Sequence, residues 1–160
     1  MSPCATFAIR DCDFQTGDDC LAGCDDTDFE VTGCKINSSC NGFRLGCLNL
    51  LVKNCAFWGP GEYVHRVSRQ KGGPGRTNML SAFVHFAPKD RNPKLPSDRW
   101  LVRDCTIDNV DFVYGCDVEK GLWQTGQPAK RLCFRNVKAT RVAQPVRVRG
   151  DAERQFELTL

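Results

Sequence analysis

Four stretches of the chain share one alternation of apolar and polar positions, and each ends in cysteine: Phe7-Ala8-Ile9-Arg10-Asp11-Cys12, Phe29-Glu30-Val31-Thr32-Gly33-Cys34, Leu50-Leu51-Val52-Lys53-Asn54-Cys55 and Trp100-Leu101-Val102-Arg103-Asp104-Cys105. Leu132-Cys133-Phe134-Arg135-Asn136-Val137 repeats the pattern with valine in the cysteine slot, and Phe156-Glu157-Leu158-Thr159-Leu160 begins it again. Period-two alternation over about five positions is the mark of a half-buried strand. The last positions of successive units lie 22, 21, 50 and 32 residues apart, so a basic period near 22 carries two longer excursions. A second short strand is expected in each unit, at 20–23, 42–46, 112–118 and 145–149. No segment has helical periodicity, and glycine and proline fall mainly between the strands, where turns need them.

An interval of this kind repeats the same position once per turn of chain, not once per reversal, and so favours stacked parallel strands over a meander. The pattern predicts an all-β chain wound as a right-handed parallel β-helix, a solenoid of about 22-residue coils with loop insertions. The other fold open to short alternating strands is an antiparallel sandwich. In the solenoid, Cys12, Cys34, Cys55 and Cys105 form an internal ladder of reduced thiols continued by Val137. Free cysteine packs as a small hydrophobe, and valine fills the same slot. Residues 1–160 then form a single domain, with 59–98, rich in Gly, Pro, Lys and Arg, as a loop insertion on its side. Solenoids need capped ends. Neither end of this pattern reads as a cap, so the chain is expected to be a section of a longer β-helix, incomplete at both ends.

Composition narrows the function. A chain of 160 residues with 41% hydrophobic and 26% charged residues has the make-up of a folded domain. Its net charge of +3 and the lack of a basic run interleaved with aromatics speak against nucleic acid. No apolar run reaches the roughly 20 residues of a membrane span. Met1-Ser2-Pro3-Cys4-Ala5-Thr6 has no charged segment leading into an apolar one, so no signal peptide is visible. The 11 cysteines include no paired Cys-x-x-Cys set at zinc spacing, and neither a metal nor a cofactor is expected.

Thr16-Gly17-Asp18-Asp19-Cys20-Leu21-Ala22 is the stretch with most chemical promise. Paired carboxylates are the equipment of glycoside hydrolysis, one as acid and one as base. Adjacent residues on a strand point to opposite faces, so a bend at Gly17 would be needed to bring both to one cleft. Asp11-Cys12-Asp13-Phe14-Gln15-Thr16-Gly17-Asp18-Asp19-Cys20-Leu21-Ala22 resembles the catalytic segment of the polygalacturonases, glycoside hydrolase family 28, in the pectin-lyase-like β-helix superfamily. The resemblance implies an inverting hydrolase of a pectin-like, uronate-containing polysaccharide. Asp18 matches the acid that protonates the leaving oxygen, and Asp19 one of two carboxylates that activate water. The other would precede Met1. The family's histidine, one coil on, is replaced by Asn41, which bonds sugar hydroxyls without titrating. His65-Arg66 falls where the family has Arg-x-Lys, the lysine being replaced by Ser68 with Lys71 nearby. Arg44 is expected to stack on the same face as Arg66. Asn41, Arg44, His65 and Arg66 are therefore the candidate substrate contacts. The resemblance also implies a polysaccharide as the only partner, a monomer when full length, and an extracellular or periplasmic location.

Other residues carry weaker readings. Arg147 and Arg149 are candidate carboxylate grips or ordinary exposed strand positions, and His85 is a candidate sugar contact. Trp58, Tyr63 and Trp123 are candidate sugar-stacking rings, while Trp100 opens a strand and suits packing. Asn37-Ser38-Ser39 is a formal glycosylation sequon. Asp25, Asp26 and Asp28 would be the calcium-holding turn of a polysaccharide lyase. Two alternatives to hydrolysis thus stand beside it: a calcium-dependent lyase, and a non-catalytic glycan-binding β-helix module.

Overall fold

The computed structural model describes residues 5–70, 72–117, 127–149 and 157–160. The strands are β1 (Ala5–Arg10), β2 (Asp13–Thr16), β3 (Leu21–Thr32), β4 (Lys35–Ser38), β5 (Asn41–Lys53), β6 (Ala56–Trp58), β7 (Met79–His85), β8 (Asp98–Asp117), β9 (Arg131–Arg149) and β10 (Glu157–Thr159), with a short α-helix, α1 (Arg66–Gln70), and a 3-10 turn at Lys89–Arg91. The chain is all-β, and its strands pair in parallel within a sheet curled like half a barrel. No antiparallel pairing occurs among the described residues, which removes the sandwich. Register follows the sequence period: Phe7 pairs with Phe29, and Leu21 with Phe43, each 22 residues on.

The bends are encoded by single residues. Each residue before the ladder position, Asp11, Gly33, Asn54, Asp104 and Asn136, is left-handed, with φ of 52°, 66°, 54°, 56° and 51°. A second set, Thr6, Asp28, Asn49 and Arg99, bends the same way just before Phe7, Phe29, Leu50 and Trp100. Asn and Asp visit this region more readily than other side chains because they bond locally. They also bond their counterparts on the neighbouring strand: Asn49 Nδ2 donates to Asp28 at 2.7 Å, and Asn136 Nδ2 to Asp104 at 2.7 Å. The corners at Asp11, Gly33 and Asn54 separate strands, whereas those at Asp104 and Asn136 and the whole second set turn the chain without ending the strand. The expected second strands are parts of the longer β3, β5, β8 and β9 at 21–23, 42–46, 112–117 and 145–149; Cys20 lies in the bend before β3, and Val118 lies outside the described residues.

The 59–98 segment differs from the expected single insertion. It holds α1 and, more consequentially, β7, which pairs with β5 on one side and β8 on the other. The 50-residue spacing is thus a full repeat interrupted by two loops, 59–78 and 86–97. Met79, Ser81, Ala82, Phe83 and His85 are buried, Leu80 and Val84 half-buried, and pairing on both sides holds the segment as a strand.

The core runs through every repeat. Phe43, Phe57 and Phe83 stack edge-on or tilted at 4.9–5.4 Å, and Phe83 passes the contact to Phe134 at 5.5 Å. The ten described cysteines are free. Cys34, Cys55 and Cys105 are buried in the expected ladder, with Cys105 in register with Val137. Backbone N–H of Cys34 donates to Cys55 Sγ at 3.4 Å, and that of Cys55 to Cys105 Sγ at 3.5 Å. Cys12, on the outermost strand level, is exposed. The basic residues of β9 serve the sheet: Asp98, Asp108 and Asp117 on β8 pair with Arg131, Arg141 and Arg149, and Arg147 lies over the Phe112 ring.

His85 belongs to this core and not to a sugar site. It is fully buried, with Nε2 3.0 Å from Gln127 O, and burial pushes its pKa down to about 4. The unfolded chain, titrating near 6.5, binds more protons between these values, so stability falls as pH drops from about 6.5 towards 4. His65, also lowered, acts in the same direction. The carboxylates held low by partners, Asp98, Asp104 and Asp108, lose their contribution only at lower pH. Urea unfolding across pH 4–7 should show a falling midpoint that His85→Gln flattens; equal slopes would exclude His85 as its source.

Candidate functional site

A shared cleft for Asp18 and Asp19 would need a bend at Gly17, and residues 17–20 do leave β2 and enter β3 without strand structure. Thr16 Oγ1 and Ser38 Oγ both donate to Asp18 O, the latter at 2.8 Å, and Asp19 N donates to Asp18 Oδ1 at 3.0 Å. These bonds fix the backbone and send the two side chains apart. The Asp18 side chain is 45% exposed and that of Asp19 is 9% exposed.

Asp19 enters a buried polar network. Asn41 Nδ2 donates to Oδ1 at 2.7 Å, and Arg44 Nε forms an ion pair with Oδ2. Asn41 Oδ1 accepts from Ser81 Oγ at 2.7 Å, so β7 joins the network. The Arg44 guanidinium also lies 4.1 Å from the centre of the Phe86 ring. Both oxygens of Asp19 therefore carry a donor, which ties this carboxylate to its neighbours more than to a water molecule.

Asp18 meets His65 instead, with Nε2 3.8 Å from Oδ1. Gly17 permits this. A Cβ there would stand 2.7 Å from Val64 O, so any larger residue would push the 63–65 segment away. His65 precedes α1 and caps it: Ser68 N donates to His65 Nδ1 at 3.1 Å. Burial, helped by the Arg76 charge, holds the His65 pKa below its ordinary value despite Asp18. The neutral ring thus accepts at Nδ1 and carries its hydrogen on Nε2, facing Asp18.

Cys40 completes this corner. Its sulfur accepts from Arg76 Nη2 at 3.2 Å and from Asn41 Nδ2 at 3.4 Å. Burial, with the Asp19 charge next, pushes its pKa up to about 12, so it remains a thiol. Ligand atoms of Asp18, Cys40 and His65 lie within 4.8 Å of one another. A metal would need a thiolate and a bare Nε2. The Ser68 N–H opposes moving the ring hydrogen to Nδ1, so the trio suits proton donation and acceptance better than metal ligation.

The remaining sequence candidates are distributed differently. Arg66 is exposed on α1, and Arg44 has Val84, not Arg66, as its neighbour on β7, so the expected Arg44–Arg66 stack does not form. The 59–78 loop displaces Arg66 from the position that counting gives it. Ser68, in the slot of the family's lysine, braces the loop: its Oγ donates to His65 O and accepts from Arg76 N. Lys71 and Trp123 lie outside the described residues. Trp100 is buried and donates to Cys47 O at 2.7 Å. Arg76, which sequence reasoning missed, reaches the site from a Gly/Pro-rich stretch that carries no periodic signal.

The sequon and the acidic turn are structural. Asn37 is buried; its Nδ2 donates to Trp58 O and Pro60 O at 3.0 and 2.8 Å, and its Oδ1 accepts from Glu62 N at 2.7 Å. It clamps the loop that delivers His65 and is closed to glycosylation in the folded chain. Asp25 Oδ1 accepts the backbone N–H groups of Lys94 and Leu95 at 2.6 and 2.8 Å, and Asp28 accepts from Thr27 and Asn49. These bonds hold a loop and a corner, which removes the main support for calcium binding by this turn. No protein-family model matches the chain, and neither does any curated protein or solved structure.

Proposed function

We propose that this chain folds as a right-handed parallel β-helix that hydrolyses glycosidic bonds of a polysaccharide, in the manner of the polygalacturonases its Gly17-Asp18-Asp19-Cys20 segment resembles. Parallel pairing among the described residues, a 22-residue register in the first repeats and left-handed corners at fixed positions support the solenoid. The observation that carries the activity is the placement of Asp18: a half-exposed carboxyl at a fixed bend, beside the Nε2–H of a buried, neutral His65.

In this reading Asp18 protonates the leaving glycosidic oxygen as the bond breaks, while water adds to the anomeric carbon and gives up its proton to solvent, from which Asp18 is reprotonated. The Nε2–H dipole of His65, 3.8 Å from Asp18 Oδ1, stabilises the carboxylate left once the proton has gone. Asp19, held by Asn41 and Arg44, supplies fixed negative charge beside the site and is a positioning residue more than a water-activating base. That same occupancy of Asp19 favours a second reading, a glycan-binding β-helix without catalysis.

Incubation with polygalacturonate and with uncharged galactan separates the possibilities. Hydrolysis releases new reducing ends with no ultraviolet-absorbing unsaturated sugar. An unsaturated product would replace hydrolysis by elimination, and binding without either product would leave the non-catalytic reading.

A further inference from the structure

The loop that brings His65 to Asp18 also presents an unusual surface. Among the described residues, six large hydrophobic side chains are exposed, and three of them, Tyr63, Val64 and Val67, lie together here. Tyr63 is 57% exposed, against full burial for Tyr114. Exposed aromatic side chains are ordinary on a loose loop, but this loop is anchored residue by residue. Gly61 N donates to Thr77 O at 2.7 Å, Glu62 N to Asn37 Oδ1 at 2.7 Å, and His65 N to Arg76 O at 2.9 Å, while Tyr63 O accepts from Ser39 Oγ. Gly61 permits this approach, since a Cβ there would stand 2.1 Å from Ser39 Oγ. Gly75 packs as closely beneath Val64: its Cβ would meet Val64 Cγ1 at 2.2 Å. The backbone is thus held firmly while the apolar side chains face solvent, the arrangement expected of a preformed contact surface.

Its position identifies the occupant. The Val64 and Tyr63 carbonyls lie against Gly17, the residue before Asp18, so the segment that carries the exposed ring adjoins the bend that carries the half-exposed carboxyl. A ligand there must offer an apolar face to Tyr63 and a polar edge to Asp18 and its neighbours. A pyranose ring does both, with axial C–H groups on one face and hydroxyls around its rim. We infer that Tyr63, with Val64 beside it, is the stacking platform of a sugar-binding subsite adjoining Asp18. The inference rests on the glycan reading of the site, but not on cleavage: the platform contributes binding, and Tyr63 takes no part in proton transfer.

Binding of oligosaccharides from polygalacturonate and from galactan is measured by calorimetry with the Asp18→Asn protein, alone and combined with Tyr63→Ala or Tyr63→Trp. Cleavage by the protein with Asp18 intact is measured separately. Tyr63→Ala should weaken binding by about three- to tenfold, the range of one aromatic contact, and Tyr63→Trp should retain it. In the cleaving protein the same loss appears in KM and not in kcat. Because the Tyr63 side chain is exposed and its anchoring bonds are backbone bonds, the thermal midpoint should not move. Unchanged binding in Tyr63→Ala, or no binding of either oligosaccharide, overturns the platform. Tyr63-dependent binding without any cleavage would uphold it and overturn hydrolysis instead.

Discussion

Asp18→Asn should reduce polysaccharide cleavage by about 10²- to 10⁴-fold, the usual contribution of a positioned general acid, and leave folding intact. The substitution is nearly isosteric, and its effect on structure is small for a stated reason. Thr16 and Ser38 bond the backbone carbonyl of residue 18 and not its side chain, and an amide oxygen can still accept the Asp19 N–H. An unfolding free energy within about 0.5 kcal/mol of the unsubstituted protein is therefore expected. The rate loss should not be rescued by lowering pH, because asparagine has no proton to give. His65→Asn is the companion variant: it keeps an acceptor to cap α1 but removes the ring N–H beside Asp18. It should lower the rate less than Asp18→Asn and shift the pH profile. Wild-type cleavage by Asp18→Asn, measured as reducing ends released, would falsify the assignment of Asp18 as proton donor.

Arg44→Met should destabilise the fold by about 3 kcal/mol, because it leaves the charge of Asp19 buried with only Asn41 as partner. The loss also removes the guanidinium from the Phe86 ring. If the cost arises from the stranded charge, Asp19→Asn introduced together with Arg44→Met should recover more than half of it, since the amide still accepts from Asn41 and carries no charge. Urea unfolding of the two single variants and the double variant gives the coupling directly. A double variant no more stable than Arg44→Met would show that Asp19 is not energetically tied to Arg44. The cycle bears on function too. An ion pair this strong keeps Asp19 from serving as a mobile base and fits a positioning role.

The candidate site was legible to very different degrees. The carboxylate pair and the need for a bend at Gly17 were visible in a dozen consecutive residues, because a glycine before two acids is a local feature. Asn41 was found by counting one repeat forward, and it does lie against Asp19. The same counting failed one repeat later. The 59–78 loop breaks the period, so Arg66 was assigned a place beside Arg44 that Val84 occupies. His65 was expected in the same region, but its partnership with Asp18 depends on a loop path set by Asn37, Gly17 and Gly61. Asn37 itself read as a sequon, since a motif cannot reveal that its side chain is buried. Arg76 and Cys40 carried no signal, because the contacts that bring them into the site are all three-dimensional.

The sequence by itself determined the repeat, the strands that carry it and the thiol ladder. Each of these depends on residue type at a fixed interval, and parallel pairing makes equal positions neighbours wherever the interval holds. Only the tertiary structure decided that 79–85 is a strand, that Asp18 and Asp19 face different partners, and that His65 takes the place beside Asp18. The physical reason is common to all three. They arise where an inserted loop folds back onto the sheet, and its path is set by close backbone approach at glycines and by single buried side-chain bonds, neither of which leaves a periodic trace in the chain.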